Sequence, residues 1–254
     1  FYCRYNGGTV LDITEESGTL SVNSWNHIAV TRDGANLRIF INGTQAGSTN
    51  TTLGSYTIDP PQGSGNTSLY FIGRTTDADS YSGSRMPLTG YLSSLRVVIG
   101  TAVYTSNFTP PTASPTAITN TKLLLNMADA QAFDSAAQNS LRFIGDAKIS
   151  TTQKKFGVSS AYFDGTDSIK TTPLNPALLL AGDFTIEGWM WCASGGGSPY
   201  GQQSLAGSNG WYVSGSGFNW LVTRNKTYGS YSHTPNIAFQ SFDGNGSIIS
   251  SDFG

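Results

Sequence analysis

Two histidines, a scatter of carboxylates and a set of loop tyrosines are the side chains here that could do chemistry, and their spacing decides what kind. Retaining glycoside hydrolysis needs an acid and a nucleophile about 5 Å apart, which on a strand means carboxylates at alternating positions. The run FTIEGWMW, Phe184 to Trp191, is where such a pair would fit. It offers Glu187 alone, with Trp189 and Trp191 at the next alternate positions. A lone acid there reads as a hydrogen-bonded or solvent-facing strand residue, so no catalytic residue is assigned and the chain is expected not to be an enzyme. His27, between Asn26 and Ile28, reads as a strand residue opposite the Ile28 face, and His233 lies in the loop-like YGSYSHTP. Neither belongs to a nucleophile or metal motif.

Hard cations take clustered carboxylates and carbonyls on a flexible loop. Thr75 to Gly83 offers Asp77 and Asp79, which makes calcium the one cofactor suggested and these two its candidate ligands. A solvated polar loop explains the same pair, and Asp164 and Asp243, each in a Phe-Asp-Gly turn, read as turn formers. For a glycan, the useful groups are loop aromatics, whose ring faces stack on apolar sugar faces beside hydrogen-bonding Asn, Ser and Gln. Tyr81, Tyr200, Tyr228 and Tyr231 are the candidates, while Trp211, just before Val213, reads as core. Cys3 and Cys192 lack CxxC spacing and read as small buried hydrophobes rather than a disulfide or a zinc site.

The elements that must hold these groups are strands. Charged residues make up only 12% of the 254 residues and glycine numbers 30, a neutral, turn-rich composition that predicts almost no helix. A net charge of −2 without a Lys/Arg cluster gives no electrostatic footprint for nucleic acid or anionic lipid. No apolar run approaches the roughly 20 residues of a membrane span. The clearest element is Thr19 to Gln45, a hairpin with Ile28 and Val30 on one face of its first arm and Leu37, Ile39 and Ile41 on one face of its second. Asp33-Gly34-Ala35-Asn36 supplies its turn and Asn42-Gly43 a further one. A polar loop is expected from there to Asn66. Strands follow at Ser68–Arg74, Gly90–Ile99, Thr121–Met127, Ser140–Ile144, Ser159–Ile169, Phe184–Trp191, Gly210–Val213, Asn219–Arg224 and Ile237–Phe242. Short strands with Gly-rich turns predict an all-β, two-sheet antiparallel sandwich or jelly roll.

The two ends echo each other: FYCRYNG at Phe1 to Gly7 matches AFQSFDG at Ala238 to Gly244. Tyr2 aligns with Phe239, 239 − 2 = 237 residues apart, which would be the period of a tandem array. The Pro/Thr-rich Thr101 to Thr121 is the best linker in the chain.

Together SSAYFDGTDSI, DFTIEGWMW, SWNHIAVTRDGANLRIFINGTQ and LYFIGR with GYLSSLRV resemble the laminin-G-like jelly rolls of the concanavalin A-like lectin/glucanase group. The family order would begin with TKLLLNM and end with GYLSSLRV; here it is broken. The resemblance implies that residues 1–112 are the C-terminal half of one unit, 113–121 a Pro/Thr-rich linker, and 122–254 the N-terminal half of the next. Each half alone would leave an apolar face and strand edges in water, so the halves either clasp as one permuted domain or pair with neighbours. YTSNFTPPT before KLLL also looks like tandem modules of phage tail, fibre or surface adhesion proteins. The resemblance also implies calcium in loops such as Thr75–Gly83. The function expected is structural and glycan- or cell-surface-binding, on an extracellular or virion surface, with other copies or neighbouring repeats as partners. A calcium-dependent adhesin is the alternative, a glycan hydrolase the enzyme rival.

Overall fold

A computed structural model of the chain describes residues 2–4, 10–12, 14–15, 20–51, 71–73, 88–127, 134–136, 139–171, 178, 180, 182–192, 202–207, 217–223, 226–228, 231–233 and 237–242. Strands β4 (Trp25–Asp33) and β5 (Asn36–Ile41) form the expected hairpin, with Ile28 opposite Ile41 and Val30 opposite Ile39. Of the two residues in its turn only Gly34 has positive φ, 57°, the II′ pattern that suits the right-handed twist of the arms. Asn42 (φ 51°) and Gly43 (φ 80°) then reverse the chain into β6 (Thr44–Asn50), which pairs with β5. TQAGSTN lacks apolar alternation because it is an edge strand, which is why it reads as loop.

These three strands form one side of an eight-stranded sheet. Its order is β11 (Lys148–Ser150), β12 (Ser160–Asp164), β8 (Thr89–Ile99), β14 (Phe184–Cys192), β4, β5 and β6, with β9 (Thr121–Leu125) paired to the other half of β8's free edge. The second sheet has seven strands: β10 (Leu141–Ile144), β13 (Ser168–Thr171), β7 (Phe71–Ile72), β15 (Gln202–Gly207), β16 (Gly217–Thr223), β19 (Ile237–Phe242) and β3 (Thr14–Glu15). Two ribbons complete the set, β1 (Tyr2–Arg4) with β2 (Val10–Asp12), and β17 (Lys226–Tyr228) with β18 (Tyr231–His233). His233 thus ends a strand rather than lying in a loop. Every pairing is antiparallel and no α-helix occurs among the described residues, so the chain is a two-sheet antiparallel jelly-roll sandwich.

Alternation decides which side chains meet between the sheets. Ile28, Val30, Leu37, Ile39, Leu92, Leu95, Val97, Phe163, Phe184, Ile186 and Met190 of the larger sheet form one buried cluster with Ile72, Ile169, Leu205 and Ala206 of the smaller one. Leu92 and Leu95 are three apart and would face opposite sides of a regular strand. A bulge between the pairs Glu187–Arg96 and Trp189–Ser93, with Ser94 at φ 57°, inserts the extra residue that turns both inward. The FTIEGWMW strand is the hairpin's lateral neighbour: β14 runs between β4 and β8, Ile186 opposite both Val30 and Val97. The hairpin's apolar face is covered from the opposite sheet, by Ile169, Leu205 and Ala206 of the chain's second half together with Ile72. Cys192 is buried in the core.

The Pro/Thr-rich segment behaves differently from a linker. After β8 it runs as a strap over the outer face of the larger sheet. The Thr31 hydroxyl donates to the Tyr104 carbonyl (2.7 Å), Val103 N–H to the Thr185 hydroxyl (2.9 Å), Gln45 N–H to Asn107 Oδ1 (2.8 Å) and Phe108 N–H to the Gly43 carbonyl (2.9 Å). Tyr104 and Phe108 stack with ring centres 3.6 Å apart, and both lie edge-on to Phe40. Gly43 is required here twice over: its φ is positive, and a Cβ would meet the Phe108 carbonyl oxygen at 2.0 Å.

Candidate functional site

The outer face of the eight-stranded sheet carries two different surfaces, set by the same alternation that builds the core. On β14 the outward residues are Thr185, Glu187, Trp189 and Trp191; on β4 they are Trp25, His27, Ala29 and Thr31.

Beneath the strap Glu187 is fully buried and every approach to its carboxylate is occupied. Arg96 Nε donates to Oε1 at 2.7 Å and Arg96 Nη2 joins the same oxygen. Oε2 receives His27 Nε2 at 3.0 Å and the Tyr104 hydroxyl at 2.7 Å. Arg96 Nη1 goes on to the Thr116 carbonyl of the strap, 3.1 Å. Burial alone would push the Glu187 carboxyl up; the His27 hydrogen bond, the Arg96 charge and the Tyr104 hydrogen bond together hold it below its ordinary value. Burial, followed by the neighbouring carboxylate, pushes the Tyr104 hydroxyl up, so it remains a proton donor. His27 is boxed edge-on by Tyr104, Phe108 and Trp189, and its Nδ1 has no hydrogen-bond partner. This is a closed structural network: neither the acid nor the imidazole reaches solvent.

At the other end of the same face the register lines up one aromatic per strand. Tyr162 of β12 is opposite Tyr91 of β8, Tyr91 is opposite Trp191 of β14, and Trp191 is opposite Trp25 of β4. With strands about 4.8 Å apart, this rung is on the order of 14 Å long. All four side chains are half-exposed. Tyr91 and Tyr162 lie 5.2 Å apart with planes at 48°, Trp25 and Trp191 6.0 Å apart at 69°, so the rings are stepped rather than coplanar. Lys148 of β11 continues the rung beyond Tyr162, its Nζ 5.5 Å from that ring centre. The β11–β12 connection runs alongside: Trp25 Nε1 donates to the Lys154 carbonyl at 3.1 Å, and Thr152 hydrogen-bonds the Tyr91 side chain. Lys155 Nζ sits 3.6 Å over the Trp189 ring, and burial pushes that amine down.

Of the sequence-derived candidates, Tyr228 and Tyr231 are brought together as cross-strand partners at the end of the β17–β18 ribbon. Tyr81, Tyr200, Asp77 and Asp79 lie outside the described residues. Among the described residues no three His, Cys, Asp or Glu are grouped to hold a metal ion. Asp164 is a turn former: its Oδ1 accepts the Thr166 N–H (2.8 Å) and hydroxyl (2.7 Å). Sequence reasoning missed the rung. Trp191 was placed on the Glu187 face, but only inter-strand register shows that Trp25, Tyr91 and Tyr162 join it.

An all-β sandwich with a partly exposed aromatic rung on one face belongs to a class shared by lectins, hydrolases and purely structural modules. Residues 1–122 match a laminin-G family described as the concanavalin A-like lectin/glucanases superfamily, so the laminin-G-like resemblance holds over that part of the chain. No curated protein matches the sequence.

Proposed function

We propose that this chain is a non-catalytic glycan-binding and structural module of a repetitive protein exposed on an extracellular or virion surface. The observation that carries this reading is the contrast across one sheet face, sealed over Glu187 and partly exposed over Trp25, Trp191, Tyr91 and Tyr162. Binding needs accessible ring faces; hydrolysis needs an accessible acid with a second carboxylate near it, and Glu187 is spent on Arg96, His27 and Tyr104. The superfamily match over residues 1–122 supports a carbohydrate-binding or structural role. The echo of Phe1–Gly7 in Ala238–Gly244 supports repetition, through which weak sites gain avidity.

The test is a broad glycan panel screened with the intact chain for both retention and release of reducing ends. Retention without turnover is expected. Turnover that disappears in Glu187→Gln overturns the non-catalytic reading, and retention of nothing on the panel overturns the glycan reading.

A further inference from the structure

The rung differs from a plain apolar strip in what flanks it. Residues 148–155, KISTTQKK, carry Lys148, Lys154 and Lys155 and no acid, in a chain whose net charge is −2. Lys148 stands at the Tyr162 end, and Lys154, exposed, at the Trp25 end. Asp164 lies two residues along β12 from Tyr162, with its Oδ1 held by Thr166. Stacking surfaces thus have the Lys148 ammonium at one end and the exposed Lys154, whose backbone carbonyl meets Trp25, at the other, with Thr152 and Gln153 alongside to supply hydrogen bonds.

We infer that Trp25, Trp191, Tyr91 and Tyr162, with Lys148 and Lys154, form a binding site for a soluble acidic glycan chain whose sugars carry carboxylates. This rests on the glycan-binding reading above and narrows its ligand. Sugar C–H faces stack on the rings, and the carboxylates meet the two lysines as point charges. The stepped ring planes, 48° and 69° between neighbours, suit a single twisted chain; a flat crystalline polysaccharide would need coplanar rings.

The experiment measures affinity of the intact chain by calorimetry for oligogalacturonate, oligomannuronate and oligoglucuronate, and for the carboxyl-reduced neutral form of each. At least one polyuronate binds and its neutral form binds about tenfold more weakly or less, the difference shrinking at high salt. Trp191→Ala and Tyr91→Ala weaken that binding about tenfold or more. Trp191→Phe, which keeps a ring, restores part of it and guards against a folding artefact. Lys148→Ala/Lys154→Ala lowers affinity for the acidic chain and leaves the neutral one unchanged. Equal binding of acidic and neutral chains, with no effect of the lysine pair, overturns the acidic ligand. Glycan binding that ignores Trp191 and Tyr91 overturns the site while the broader reading stands. Binding of neither these chains nor any other glycan overturns both.

Discussion

Glu187 shows how space chooses between two readings that a sequence leaves open. Along β14 a lone acid is either hydrogen-bonded or solvent-facing; in three dimensions it is the former, satisfied completely by Arg96, His27 and Tyr104. Glu187→Gln leaves the Arg96 guanidinium buried without its counter-charge, and breaking a buried pair this way costs about 3–5 kcal/mol, readable by denaturant unfolding at neutral pH. The sign of its pH dependence follows from the depressed carboxyl. Because the folded pKa lies below the unfolded one, the stabilisation is complete above the ordinary carboxylate range and is lost as pH falls through the folded pKa. The gap in stability between wild type and Glu187→Gln is therefore widest near neutrality and closes in acid; a pH-independent gap would assign the loss to packing. Tyr104→Phe removes one hydrogen bond to a charged acceptor, about 1.5–3 kcal/mol, and exposes Glu187 to nothing new, so it destabilises without creating turnover.

At the scale of elements, the strap is where sequence and structure part most. Thr101–Thr121 has linker composition, yet Tyr104 and Phe108 are apolar anchors in it, and its carbonyls and amides close on Thr31, Gly43, Thr185 and Arg96. Gly43→Ala forces a Cβ onto the Phe108 carbonyl and strains a left-handed turn. It is expected to cost about 1–3 kcal/mol, with faster hydrogen exchange in peptides covering 101–112 ahead of the core strands. Uniform acceleration across the sheet would mean that the strap does not detach as a unit. Strands with a buried face were legible because period-two alternation records burial: β4, β5, β8, β12 and β14 all fall inside or within a residue or two of expected runs. β6, β11 and β15 were not, since TQAGSTN, KIS and QQSLAG carry little or no alternation. The aromatic rung was illegible for a different reason. Each ring is visible in its own strand, but their alignment depends on three separate registers and one bulge, and none of these is local information.

For the whole molecule, the decisive fact is that β14 runs between β4 and β8. Residues 1–112 contribute both of its neighbours, while residues 122–254 contribute β14 itself and β12 and β9, which flank β8 on its other edge. Separated, the first segment would expose the free edges of β4 and β8, and the second would hold β14 with neither edge paired, a state prone to wrong pairing. The core is likewise shared, since Phe184, Ile186 and Phe163 join Ile28, Val30 and Leu95 in one cluster. The two segments are therefore expected to unfold in a single cooperative transition of the intact chain. Expressed apart, each is expected to aggregate or stay unfolded. Co-expressed or mixed, they should reassemble, because a break between Thr112 and Ala113 cuts an exposed stretch of the strap and leaves the Tyr104 and Phe108 anchors on one piece. Loop closure then becomes a second-order association, so refolding of the pair is slow and concentration-dependent where that of the intact chain is not. Two folded, non-interacting fragments would instead mean that each half finds its missing strands within itself, and the interleaving of β14 would lose its role in holding the sandwich together.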